Sequence, residues 1–196
     1  MQSVFMNTIK SMKKIFLLWS LSIVMSPAYS GEIDWNKFSF GVTGNYQVPF
    51  GDLGRYWNNS AAFGGVGRYE IQDRVYLIGT VTLGYYTPQK NTKDKETPFF
   101  WLVNLSGSIQ YDIPVSSGLG LLLGLGGDHF TFIFRGSAAQ DLGKNFIESE
   151  IALHGETGLR FRFGNLPVFN VFTRYSSIFS YPFQIPIWMS GITIYF

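Results

Sequence analysis

The chain has 196 residues, room for one domain. Charged residues make up only 14% of it, against about 25% in ordinary soluble domains. Aromatics reach 18%, with 22 glycines and no cysteine, which excludes a disulfide framework or a thiolate metal site.

The N-terminus reads as an export signal. Lys13 and Lys14 precede an apolar run from Ile15 to Met25, and Ala28-Tyr29-Ser30 supply small residues before a cut. The run is shorter than the roughly 20 residues a membrane helix needs. Residues 1–30 are therefore expected to be a signal peptide for the Sec pathway, and 31–196 the mature domain. Met12, directly before the lysines, is a second candidate start. Removing Lys10, Lys13 and Lys14 takes the net charge from +2 to −1. No basic footprint for nucleic acid survives.

The first mature segment alternates. Phe38, Phe40, Val42, Gly44, Tyr46 and Val48 share one face, and Ser39, Gly41, Thr43, Asn45 and Gln47 share the other. Further strands are predicted near 61–71, 75–86, 99–113, 119–131, 146–163, 168–176 and 187–196. Leu121-Leu122-Leu123 interrupts the alternation in the fifth. Short connections at 72–74, 114–118 and 164–167 alternate with long ones near 49–60, 87–98, 132–145 and 177–186. A chain too poor in charge to cover a soluble surface, yet without an apolar helix after its leader, is resolved by strands with one greasy and one wet face. The predicted fold class is all-β: a closed antiparallel eight-stranded transmembrane β-barrel with short periplasmic turns and longer outer loops. Aromatics such as Tyr46, Trp57, Tyr85, Trp101 and Trp188 fall toward the long-loop side, and Phe38, Tyr69, Tyr111, Phe161 and Phe169 toward the other, as interfacial girdles require.

Arg68, Glu70, Asp112, Asp128, Glu150, His154, Glu156, Arg160, Arg162 and Arg174 fall on the inward face. Ions enclosed in so narrow a barrel must pair. A lumen charge network is expected, with Glu156 meeting Arg174 and Asp128 meeting His154. Ile78, Leu122 and Phe172 also point inward. His129 and Thr131 face lipid by parity. The two histidines are 25 positions apart and show no metal-binding spacing. Gly124, Gly126 and Gly127 lack the βαβ setting of a nucleotide loop, so no cofactor is expected.

Three features resemble the small eight-stranded outer-membrane barrels of the OmpA/OmpX-like superfamily. One is the hairpin Tyr46-Gln47-Val48-Pro49-Phe50-Gly51-Asp52-Leu53 leading to Phe63-Gly64-Gly65-Val66-Gly67-Arg68-Tyr69. Another is the strand rhythm. The last is the ending Gly191-Ile192-Thr193-Ile194-Tyr195-Phe196, where Ile194 stands in place of a frequent tyrosine. The resemblance implies a location in the outer membrane of a Gram-negative cell. It implies that Ile192, Ile194 and Phe196 are read by the barrel assembly machinery. It also implies contact with outer-membrane lipids and lipopolysaccharide, in a monomer. The expected role is non-enzymatic, through the outer loops in surface contact or membrane integrity, with a packed lumen. The alternatives are a narrow OmpW-like conduit for small solutes, or a lipid A-modifying enzyme resting on His129-Phe130-Thr131 with Thr131 where that family has serine.

Overall fold

The computed structural model describes residues 34–90, 97–135, 147–164, 166–180 and 183–196. The predicted signal peptide lies outside them, as does most of the charged run from Lys90 to Glu96. The barrel unit, Asn36–Phe196, is nearly all strand. Its elements are β1 (Phe38–Pro49), α1 (Gly51–Tyr56), β2 (Ser60–Gln72), β3 (Val75–Tyr86), β4 (Phe99–Pro114), β5 (Leu119–Arg135), β6 (Ile147–Phe161), β7 (Val168–Ser180) and β8 (Phe183–Tyr195). Each strand pairs antiparallel with its sequence neighbours, and β8 closes on β1, with Val42 opposite Ile194. Closure leaves no edge strand with unpaired backbone groups, which a strand sheet needs if it is to cross lipid.

The two faces of this sheet follow from the period-2 sequence pattern. Phe40, Val42, Val81, Leu105, Ile109, Leu125, Leu153 and Ile192 are exposed outward. Thr43, Asn45, Asn104, Gln110, Asp128, His154 and Asn170 are buried inside. A soluble barrel has the reverse arrangement. Aromatics sit near both ends of the outer wall: Tyr85 against Trp101 with centroids 4.8 Å apart toward the long loops, and Phe38 against Tyr69 at 4.7 Å toward the short turns. Leu125, mid-strand on β5, is 74% exposed. Leu125→Arg should therefore cost about 2–4 kcal/mol in urea unfolding from lipid vesicles, as charge at the bilayer midplane does. In a water-facing wall the same change would be nearly neutral.

Several predicted boundaries move. Leu121-Leu122-Leu123 does not disturb β5, because Leu122 turns inward opposite Asp112 while Leu123 faces out opposite Tyr111. β5 also continues past the predicted 131 to Arg135. The predicted long connection at 177–186 is mostly ladder, with Ser180 paired to Phe183, so only residues 181–182 separate β7 from β8. Buried Ile178 and Ile187 give that extension an apolar lumen side. The sixth strand ends at Phe161 rather than 163. The Arg162 amide turns to the Gly118 carbonyl at 2.8 Å, and Gly164 at φ +56° starts the turn. In the first long connection, near 49–60, α1 forms.

Candidate functional site: a two-layered lumen

Four of the ten predicted lumen charges, Asp128, His154, Glu156 and Arg174, condense into one group around Arg174. Arg174 on β7 lies opposite Glu156 on β6. Its Nη2 and Nε donate to Glu156 Oε2 at 2.6 and 3.0 Å. Its Nη1 donates to Ser106 Oγ at 2.8 Å and lies 3.4 Å from Asp128 Oδ1. Asp128 Oδ2 accepts from Ser176 Oγ at 2.8 Å and from His154 Nδ1 at 2.9 Å. That bond places a proton on Nδ1 of His154. Asn104 donates to Asp128 Oδ1, while Gln110 and Ser108 donate to Glu156 Oε1. Both carboxylates are thus held by several donors each, as groups this deeply buried require.

The local sequence makes room for this group in a regular way. Glu156 is on β6, yet it reaches Gln110 and Ser108 on β4, passing over β5. The register aligns Gln110, Gly124 and Glu156 in one row, and Ser108, Gly126 and His154 in another. A Cβ on Gly124 would lie 2.7 Å from Glu156 Cγ, and one on Gly126 would lie 2.7 Å from His154 Nε2. Gly120 does the same for Arg160, which crosses β5 to pair with Asp112 on β4. The inward glycines of β5 are the clearance that lets β6 side chains cross to β4.

The remaining predicted members stand apart. Arg68 is buried near the short-turn end, its guanidinium carbon 4.7 Å from the Tyr76 ring centroid and 4.4 Å from that of Tyr195. This is a cation–π clamp rather than an ion pair. Glu70, two residues on, is half-buried at the same mouth. Glu150 is half-buried opposite Phe130, toward the long-loop end. Arg162 is exposed beyond the end of β6 and does not enter the lumen, which corrects its predicted inward placement. Ile192 and Phe196 are exposed outward, Ile194 is half-buried, and the Phe196 amide donates to the Phe40 carbonyl.

The second layer lies above Asp128, toward the long loops, and sequence reasoning missed it. Phe130, Phe132, Phe100, Leu102 and Tyr86 fill the lumen there with Ile178 and Ile187. Tyr86 stacks on Phe100 at 4.6 Å, and its hydroxyl donates to Gln47 Oε1 at 2.7 Å. Leu53 of α1 enters the same cluster from the loop. Trp57, assigned by sequence to the outer girdle, turns inward, meets Phe100 edge-on at 5.4 Å and donates to the Pro98 carbonyl. The loop carrying it is tied to the next one: Asn58 Nδ2 donates to the Pro88 carbonyl at 2.9 Å, and Gln89 Nε2 to the Gly54 carbonyl at 2.7 Å. Phe130, Phe132 and Phe134 share the parity of Asp128, and extending that parity along β5 would have found them.

Beside Glu156 and Arg174 lies a lumen cavity of about 30 Å³, lined also by Asn45, Val66, Ile78, Phe172 and Tyr195. On the outer wall, His129 pairs in register with Leu105 and Ile151, and Thr131 Oγ1 lies 3.4 Å from Ser149 Oγ.

No family model and no curated protein matches the chain by sequence. Solved structures do. Neisserial surface protein A (NspA) aligns with 82% of this chain and 97% of its own at 17% identity, with a TM-score of 0.59. Ail, the attachment invasion locus protein of Yersinia pestis, aligns with 81% of this chain and 97% of its own at 16% identity and TM-score 0.51. The outer membrane protein OprG from Pseudomonas aeruginosa aligns with 81% and 94% at 14% identity and TM-score 0.51. At such identities the likeness carries the fold: this chain shares the closed eight-stranded antiparallel barrel of small outer-membrane proteins.

Proposed function

We propose that this chain is a non-enzymatic outer-membrane barrel that acts through its long-loop end, in surface contact or in maintaining the membrane, with its lumen closed. The observation that carries this reading is the filled lumen. An aromatic layer capped by α1 sits on a charged layer bridged by Arg174, and the cavity beside Arg174 is only about 30 Å³. Barrels that pass solutes freely have 16–18 strands. The paired loops joined by Asn58 and Gln89 form a braced outer platform suited to contact. The names of NspA and Ail, a surface protein and an attachment protein, agree with that role.

Export through the Sec pathway, cleavage after Ser30, and recognition of Ile192, Ile194 and Phe196 by the barrel assembly machinery belong to the same reading. So do contact with lipopolysaccharide and a monomeric state. An enzyme acting on lipid A has little support. His129 has Leu105 and Ile151 as its outward strand neighbours, and neither is an acid that could orient the ring.

A narrow conduit for small apolar solutes is the second reading, favoured by the apolar lining of the long-loop half of the lumen. Recording from the purified barrel in planar bilayers tests for an open ionic path, and dye uptake separates the two readings. A closed lumen gives no stepped conductance, and neither does a purely apolar route. Uptake of an apolar fluorescent dye by vesicles containing the barrel, above that of empty vesicles, would then select the conduit. Steady ionic conductance from the wild-type barrel would overturn the closed-lumen reading.

A further inference from the structure

The outer wall carries a groove of about 770 Å³, within the usual range of ligand clefts, about 300–1,000 Å³. It follows one register row across five strands, from Ile109 on β4 through Leu125, Gly155 and Tyr175 to Trp188 on β8. Tyr111 closes its short-turn end. Gly155 leaves the floor bare between Leu125 and Tyr175. A Cβ there would meet only Leu125 Cδ2, at 3.7 Å. Polar groups beside the floor are satisfied within the wall. Thr173 Oγ1 donates to the Met189 carbonyl at 3.3 Å and lies 3.1 Å from Ser190 Oγ, which accepts from Trp188 Nε1 at 3.1 Å. Such a surface asks for hydrocarbon rather than a polar partner.

Shape and length select what fills it. The convex wall of a second barrel cannot reach a floor sunk between Leu125 and Tyr175. Strands about 4.8 Å apart make the row from β4 to β8 about 19 Å long. One leaflet of a hydrocarbon core is about 15 Å thick, so an extended acyl chain lying obliquely along the row matches the groove.

The short-turn end supplies a charge. Val75 pairs with Tyr111, and the Asp112 amide donates to the Arg74 carbonyl at 2.9 Å, so Arg74 sits at the foot of the groove. Its φ of +67° suits glycine or asparagine and strains arginine. Strain held at such a turn points to a use for the side chain. The guanidinium reaches Asp73 at 3.5 Å, and both side chains are half or more exposed. That pair is weak, and a phosphate, which takes a guanidinium in two parallel hydrogen bonds, displaces it.

We infer that the groove holds one acyl chain of a phospholipid from the short-turn leaflet, with the lipid phosphate on Arg74. The inference rests on the reading of this wall as lipid-facing. Bound lipid stabilises the folded barrel by mass action.

The test is native mass spectrometry of the barrel, purified from the outer-membrane fraction into detergent and incubated with dipalmitoylphosphatidylglycerol. The expected result is retention that saturates at one phospholipid per barrel. Gly155→Phe, which fills the floor, should abolish it. Gly79→Phe, outward in open space elsewhere on the wall, should leave it unchanged. Arg74→Gln should weaken retention about fivefold, and dipalmitoylglycerol, which lacks the phosphate, should bind the wild type about as weakly. Heat-dependent gel mobility of each variant checks that the barrel is intact, which separates failure of this site from failure of the barrel reading. Should Gly155→Phe not fold, Thr157→Phe fills the same groove from the next row. No retained phospholipid, or retention that survives filling of the groove, would overturn the proposal. Equal retention of the two lipids would overturn it too, as would preference for lipid A, which would assign the groove to the opposite leaflet.

Discussion

Arg174→Met is expected to destabilise the barrel by about 3–5 kcal/mol, measured by urea unfolding from lipid vesicles. The guanidinium is 7% exposed and holds both Glu156 and Asp128. Methionine fills part of the volume but leaves two carboxylates facing each other in the lumen, and burial of an uncompensated charge dominates the cost. The double variant Arg174→Met/Glu156→Gln should recover a large part of the loss, because Asp128 keeps His154, Ser176 and Asn104 as donors. A double variant as unstable as the single one would show that Arg174 acts by packing alone.

Gly126→Val should cost about 3 kcal/mol in the same assay, the upper part of the range for overpacking. The first atom of the new side chain would fall 2.7 Å from His154 Nε2 and against the Gly107 carbonyl, with rigid backbone on one side and a buried ring on the other. Gly79→Val is the control. Gly79 is also mid-strand, but it faces outward with nothing within 4 Å, and valine suits an exposed strand position. Near-neutrality of Gly79→Val beside a large loss at Gly126 would tie the glycine pattern of β5 to the charges it accommodates rather than to strand curvature in general.

The sequence revealed the wall far better than the contents. Alternation in β1, β3 and β4 put Val42, Val81 and Leu105 outside and Asn45, Thr82 and Asn104 inside, because each strand carries a period-2 signal that needs no knowledge of its neighbours. Opposition of Glu156 and Arg174 was also within reach, since adjacent hairpin strands fix their own register. The Asp112–Arg160 pair was not. It skips β5, and only the alignment of Gly120 with Arg160 reveals the gap it crosses. Trp57 was misplaced for a related reason: in a loop there is no parity to say which way an indole points, and its inward turn depends on Pro98 and Phe100. The extension of β7 and β8 was hidden by Tyr181 and Pro182, which punctuate like a longer loop while the ladder continues to Ser180 and Phe183.

A closed eight-stranded barrel that spans the outer membrane is the central claim. Its most direct test is gel mobility of the chain in an outer-membrane fraction, compared between unheated and boiled samples in detergent. The folded barrel, sealed by the β1–β8 ladder, should stay compact without heating and run as a faster band that boiling converts to a slower one. A single heat-insensitive band, recovered from the soluble fraction, would contradict the claim.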